Sequence, residues 1–69
     1  MKEIKIETEF IKLDQLLKFA GITDTGGQSK IIINDGLVKV NGEVINARGK
    51  KIKKGDIIEI KDMESFIVI

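Results

Sequence analysis

A pair of adjacent glycines opens the segment of this chain best suited to bind an anion. Gly26 and Gly27 follow Thr25, which can cap a helix, and Gln28 lies where a capping box requires it. Each glycine costs a helix roughly 1 kcal/mol relative to alanine, so another role must favour it. Free N–H groups and the positive end of a helix dipole suit a phosphate that approaches the bare backbone. Tight packing or a turn is the alternative explanation, and the glycines alone favour that alternative.

Positive charge is concentrated in the middle of the chain. The net charge is only +1, from 12 Lys and Arg residues against 11 Asp and Glu residues. Residues 25–54 hold seven of the basic residues and only two of the acidic ones. The densest basic run consists of Arg48, Lys50, Lys51, Lys53 and Lys54. Such a cluster in a nearly neutral protein predicts a local footprint for an anionic partner, and a solvated loop is the alternative explanation.

The residues that most often carry catalysis are missing. The chain has no His and no Cys, which removes disulfides, the usual zinc sites and the commonest nucleophile–base pairs. Ser29 and Ser65 lack the sequence context of an activated nucleophile. Acidic residues such as Asp14, Asp24 and Asp35 are typical of helix ends and turns. The sequence therefore predicts no enzyme activity, no metal and no cofactor.

Few aromatic side chains are available to stack on bases. The three rings, Phe10, Phe19 and Phe66, each lie in an apolar neighbourhood, which favours the core for all three. Arg48 supplies the one arginine plane. Recognition of unstacked bases normally uses exposed rings or arginines. If the partner is a nucleic acid, phosphate and shape contacts with structured RNA therefore fit this composition better than single strands.

A short helix is predicted upstream of the glycine pair, and a short connection separates the two. Leu13, Leu16, Leu17 and Ala20 recur at helical spacing and form one apolar face, and Gly21 ends the helix. This face should pack on the rest of the domain.

A second helix is predicted over residues 26–34. Ser29, Ile32 and Ile33 should face the core on this helix, and Gly36, which can adopt a positive φ, follows its end. The glycine pair then lies at the N-terminus of the helix, where free N–H groups are available.

Alternating polarity predicts about five short strands. Asn41-Gly42 is a strong signal for a hairpin turn, although the register of its two strands stays open. The run 48–54 is interpreted as a basic connection. The predicted strands lie at 3–7, 38–40, 44–45, 58–60 and 65–69. Two adjacent helices packed on a small, mainly antiparallel sheet make this an α+β fold, predicted as a single domain over residues 1–69.

Three segments in order form a more specific pattern: KLDQLLK, GQSKIIINDGLVKVNGEVI and KIKKGDIIEI. Together they span residues 12–60 and resemble the RNA-binding domain named after small-subunit ribosomal protein S-four, also called the αL RNA-binding motif. The runs TGGQSK and NARGKK are most similar to its small stand-alone YbcJ/YaaA-like subgroup. The resemblance implies an α+β fold with a motif core over 12–60, and RNA binding without catalysis.

The resemblance also implies which residues contact RNA. Lys12 stands where the family often has Arg at the start of the first helix. Lys30 matches a basic residue of the second helix, and Lys39 matches the basic residue of the first hairpin strand. Gly26 and Ile31 depart from the pattern, since larger members often carry basic residues there. The full predicted set is Lys12, Gly26, Gly27, Gln28, Lys30, Lys39, Arg48, Lys50, Lys51, Lys53 and Lys54.

The sequence therefore predicts a non-catalytic RNA-binding module for structured RNA, with ribosomal RNA as one candidate, in the cytoplasm. A protein–protein adaptor that uses the exposed sheet is one alternative, and a general nucleic-acid binder that includes DNA is another. No apolar run approaches the roughly 20 residues of a membrane span, and no small-molecule substrate is predicted. The sequence leaves open whether the protein also has a protein partner.

Overall fold

The structure, a computed structural model, describes residues 1–69 and contains two helices and seven short strands. Neither helix is long and apolar enough to cross a membrane. In chain order the elements are β1 (Lys2–Ile4), β2 (Phe10–Lys12), α1 (Leu13–Phe19), α2 (Gly26–Asn34), β3 (Val38–Val40), β4 (Glu43–Val44), β5 (Lys51–Lys53), β6 (Ile57–Ile60) and β7 (Phe66–Val68). Both predicted helices are confirmed, and α2 has the predicted bounds.

Five strands form the main sheet, in the order β1-β7-β6-β3-β4. The strands β1 and β7 run parallel, while the other neighbours run antiparallel. The predicted α+β fold with a small, mainly antiparallel sheet is therefore confirmed. The strands β2 and β5 pair with each other in a separate two-stranded antiparallel sheet, called the ribbon below.

The ribbon corrects the prediction for residues 48–54. The sequence predicts a basic connection over residues 48–54, but the structure places strand β5 within it. The sequence predicts no strand at residues 10–12, but the structure places β2 there. Each strand is only three residues long, so neither segment contains enough alternation to indicate a strand by itself. What holds the ribbon is long-range pairing, in which Ile11 lies opposite the fully buried Ile52.

One hydrophobic core joins the helices, the main sheet and the ribbon. On α1, Leu13, Leu16 and Leu17 are completely buried, which confirms the predicted apolar face. On α2, Ser29 and Ile33 are completely buried as well. Burial of each leucine or isoleucine side chain stabilises the fold by about 1.5–3 kcal/mol. The core consists of Ile6, Leu13, Leu16, Leu17, Ile33, Val38, Val40, Ile52, Ile58, Ile60, Phe66 and Val68.

Two of the three phenylalanines lie outside this core, so the prediction for them is wrong. Phe66 is 1% exposed, but Phe10 is 40% exposed and Phe19 is 63% exposed. Successive side chains of a strand point to opposite faces. Because the half-buried Ile11 takes the inward direction in β2, its neighbour Phe10 points outward.

The hairpin between β3 and β4 has the predicted two-residue turn. Asn41 and Gly42 have φ values of +52° and +84°, as a type I′ turn requires. The structure settles the register, with Val40 opposite Glu43. The Asn41 side chain also accepts a hydrogen bond from the Ile57 N–H, at 2.9 Å, which ties the turn to β6.

Candidate nucleic-acid interface

The outer face of the ribbon carries three lysines and one aromatic ring. Phe10 lies opposite Lys53, and Lys12 lies opposite Lys51. These four side chains are exposed, since Ile11 and Ile52 take the inward positions between them. The Lys51 Nζ lies 4.7 Å from the centroid of the Phe10 ring. The ribbon therefore presents a compact cationic face that neither of its strands interrupts with an acidic residue.

The start of α1 is tied to the segment that precedes β5. Leu13 donates its N–H to the Lys50 carbonyl at 2.9 Å, and Asp14 donates its N–H to the Arg48 carbonyl at 3.0 Å. These carbonyls satisfy donors that a helix start leaves free. The bonds hold the backbone of Arg48 and Lys50 beside Lys12, which directly precedes α1.

The start of α2 is capped by side chains but keeps two free N–H groups. Thr25 Oγ1 accepts from the Gln28 N–H at 3.2 Å, as a helix cap does. Gln28 Oε1 accepts from the Asp24 N–H at 2.7 Å, whereas the predicted capping box would have used the N–H of Thr25. The N–H groups of Gly26 and Gly27 have no acceptor within the protein. They are therefore available to a ligand.

A buried serine brings the two helix starts together. The Ser29 Oγ lies 2.6 Å from Thr23 Oγ1 and donates toward the Asp14 carbonyl at 3.2 Å. Both hydroxyl-bearing residues are buried, and no buried polar side-chain atom in the protein lacks a partner. The first turn of α2 consequently packs against the first turn of α1, at the end of the molecule where residues 48–50 are attached.

The structure thus brings most of the predicted site residues to one region. Lys54 lies in the turn directly after β5. The next residue, Gly55, donates its N–H to the Val68 carbonyl and so joins this turn to the main sheet. Lys30 lies exposed on α2, one turn after Gly26. We call the ribbon and its continuation the basic strip, which consists of Lys12, Arg48, Lys50, Lys51, Lys53 and Lys54.

Lys39 is the predicted residue that lies apart from the others. Its neighbours Val38 and Val40 are buried, so Lys39 points to the opposite face of the main sheet. There it lies between Glu59 on β6 and the exposed Val44 on β4. Lys39 lines a groove of about 430 Å³ on that face. The charged side chains of Lys39 and Glu59 interrupt the apolar surface that a protein–protein adaptor based on the sheet would use.

The basic strip can hold phosphate groups but not a metal ion. All six of its side chains are exposed, so their charges are hydrated and respond to ionic strength. Along a strand, alternate residues such as Lys51 and Lys53 lie about 6.6 Å apart, twice the rise per residue. No group of His, Cys, Asp or Glu residues could hold a metal ion.

Phe10 is a surface residue that the sequence did not predict. Its apolar neighbourhood suggested the core, yet the structure places the ring among the lysines of the ribbon. The segment Phe10-Ile11-Lys12 gives no local signal for this position, because three residues are too few for their alternation to indicate a strand.

The fold defines a class of protein: small α+β domains in which two adjacent helices pack against a mixed sheet of about five strands, as in solved structures with the αL motif. The chain belongs to the S4 domain family, whose model matches residues 4–69. The predicted resemblance is therefore confirmed.

Relatives and a solved structure give the same assignment. The chain is 42% identical, over 66 residues, to the protein named "Probable ribosome maturation protein RlbA" of Bacillus subtilis, covering 96% of this chain and 93% of that protein. It is 39% identical over 58 residues to small ribosomal subunit protein uS4 of Afipia carboxidovorans, covering 84% of this chain but only 28% of that protein. The solution structure of YbcJ from E. coli, described as revealing an αL motif involved in RNA binding, matches with a TM-score of 0.74. That match has 31% identity and covers 100% of this chain and 87% of YbcJ.

Proposed function

We propose that this chain is a non-catalytic module that binds structured RNA through phosphate and shape contacts, with ribosomal RNA as its partner, in the cytoplasm. The observation that carries the proposal is the basic strip, which the fold assembles beside the two helix starts. The names of the relatives support a ribosomal partner, since one is a ribosome maturation protein and the other a ribosomal protein.

Phosphate contacts fit the strip better than base readout does. Five of its six side chains are lysines, which act as flexible point charges and not as planar bidentate readers. Such contacts fix the position of a nucleic acid without reading its sequence. The binding energy should therefore come mainly from release of counterions around the phosphates.

The test is the salt dependence of RNA binding by a variant of the strip. Changing Lys50, Lys51, Lys53 and Lys54 to Gln should weaken binding to a folded RNA and flatten the plot of log affinity against log salt concentration. Each lost phosphate contact should change the slope by roughly 0.7–0.9. The measurement is a titration of labelled RNA at several salt concentrations.

A second quadruple variant supplies a matched control. Changing Lys2, Lys5, Lys18 and Lys61 to Gln removes the same number of positive charges from exposed positions outside the strip. We expect the salt slope of this control to stay close to that of the parent. Equal slopes for the two variants would show that net charge alone governs binding, and would contradict a localised footprint.

A further inference from the structure

The aromatic ring on the ribbon has no role in the core. Phe10 is 40% exposed and points outward from β2, while Ile11 and Ile52 supply the apolar contact that attaches the ribbon to the domain. Phe10 is one of seven large hydrophobic side chains that are exposed in this protein, and its ring is the one that contacts a lysine ammonium. Exposure alone is ordinary for a single apolar residue, so the setting of the ring among cations is the feature that points to a ligand.

Three cations surround the ring. Lys53 lies directly opposite Phe10 on the neighbouring strand, and Lys51 is the diagonal neighbour on that strand. Lys12 lies two residues after Phe10 on the same strand and therefore on the same face. The Lys51 ammonium is the group in contact, with its Nζ 4.7 Å from the ring centroid. Aromatic surface set within a cationic groove is the combination that binds unpaired nucleotides, because the ring stacks on the base while the cations hold the flanking phosphates.

The contact with Lys51 does not block such a use of the ring. Lysine carries a compact charge on a flexible stem, and an exposed cation–π contact is weak. A base that stacks on Phe10 would displace the Lys51 ammonium from the ring. The ammonium could then form an ion pair with a phosphate next to that base. The Lys51 side chain thus covers the ring in the free protein and can release it to a ligand.

We infer that Phe10 is a stacking surface for a base, and that the RNA bound by the basic strip carries an unpaired nucleotide next to a paired segment. The inference rests on the proposed function and adds the class of RNA to it. In a paired stem the bases are stacked on each other, so the ring finds a partner only at a bulge, loop or end. Every base has a π face, so the stacking tolerates any base identity.

The first test compares three RNA duplexes that have the same ends: one fully paired, one with a single unpaired adenosine, and one with an abasic site at that position. Phe10→Leu keeps an apolar side chain and removes the ring. It should weaken binding to the adenosine duplex by roughly 5- to 100-fold, as loss of a base–aromatic stack does. It should leave the other two affinities unchanged. Phe19→Leu, at the more exposed ring that ends α1, is the matched control and should change none of the three.

The second test observes the stacking directly. The chain contains no Trp and no Tyr, so Phe10→Trp introduces a unique indole fluorophore. Its emission should be quenched by the duplex with the unpaired adenosine and much less by the abasic duplex. In Phe19→Trp, the indole lies at the C-terminal end of α1, about 9 Å along the helix axis from Leu13, and its emission should not distinguish the two RNAs. This arm also decides the matter if Phe10→Leu fails to fold.

The outcomes separate this inference from the function on which it rests. If Phe10→Leu binds all three duplexes like the parent, and the indole at position 10 does not distinguish them, the stacking role is overturned. The lysine variants would still report the phosphate contacts in that case, so the proposed function would stand. If the parent binds none of the duplexes at any salt concentration, the proposed function fails and the stacking role falls with it.

Discussion

At the scale of single residues, the glycine pair at the start of α2 is not explained by packing. A Cβ built on Gly26 would meet no atom within 4 Å, and one on Gly27 would meet only Thr25 Oγ1, at an ordinary 3.8 Å. Neither glycine has a positive φ. The two alternatives that the sequence favoured, tight packing and a turn, therefore have no support in the geometry. Free N–H groups remain as the property that alanine would obstruct.

Replacing Gly26 and Gly27 together by alanine should separate stability from binding. The free energy of unfolding should rise by up to about 1 kcal/mol per site, because alanine favours the helix. RNA affinity should fall by roughly 2- to 30-fold if a phosphate contacts this helix end. The measurements are a thermal melt and an RNA titration on the same preparation. A less stable variant with unchanged affinity would return both glycines to a structural role.

The exposed Ile31 offers a gain of function. It is 61% exposed on α2 and lies one turn after Gly27 on the same side of the helix. Ile31→Arg should strengthen RNA binding and steepen the salt slope by roughly 0.7–0.9, because it adds one phosphate contact. Stability should change little at so exposed a position. Met63→Arg is the control, because it adds the same charge at a 50% exposed position in the groove on the other face of the sheet. The RNA affinity of this variant should stay at the parental value.

At the scale of secondary-structure elements, the helices were predictable and the ribbon was not. The spacing of Leu13, Leu16 and Leu17 indicates α1 from local periodicity alone, and Thr25 with the glycine pair marks the start of α2. The ribbon consists of two three-residue segments far apart in the sequence, which gain strand character only by pairing with each other. The basic run is visible in the sequence itself, so it could be predicted as a site. The position of the Phe10 ring depends on the pairing of β2 with β5, so the ring was wrongly assigned to the core.

The contact between α1 and α2 depends on a polar group inside the core. The Ser29 hydroxyl is completely buried and bonds to Thr23 and to the Asp14 carbonyl. Ser29→Ala should lower the free energy of unfolding by about 1–3 kcal/mol, because it leaves buried partners without a hydrogen bond. Denaturant unfolding measures the loss. Ser65→Ala, the same change at a half-buried position before β7, should stay within about 0.5 kcal/mol of the parent.

At the scale of the whole molecule, the proposed function depends on the distribution of charge and not on the net charge. A net charge of +1 gives no general attraction to polyanions, while the fold collects six cations into the basic strip. Lys39 shows that a basic residue within the sequence pattern need not join them, since the main sheet separates it from the strip. We therefore expect the position of a charge in the fold to decide whether it contributes to RNA binding.

A localised strip should distinguish RNA from DNA of the same sequence. We expect RNA to compete more strongly than matched duplex DNA at fixed ionic strength, because the A-form helix presents a different shape and 2′-hydroxyl groups. The measurement is displacement of a labelled RNA by each unlabelled duplex. Equal competition would indicate simple polyanion attraction and would refute the preference for RNA.

The ribbon joins two segments that are remote in the sequence, and this has a thermodynamic consequence. In the unfolded chain Lys12 and Lys51 are far apart on average, so the arrangement that we propose for phosphate binding exists only in the native state. A ligand that binds the native state alone shifts the folding equilibrium toward it, by about 2.7 kcal/mol at a concentration 100 times the dissociation constant. A domain near the lower size limit for a self-sufficient core has a modest stability of its own. RNA would then supply part of the stability of the surface that binds it.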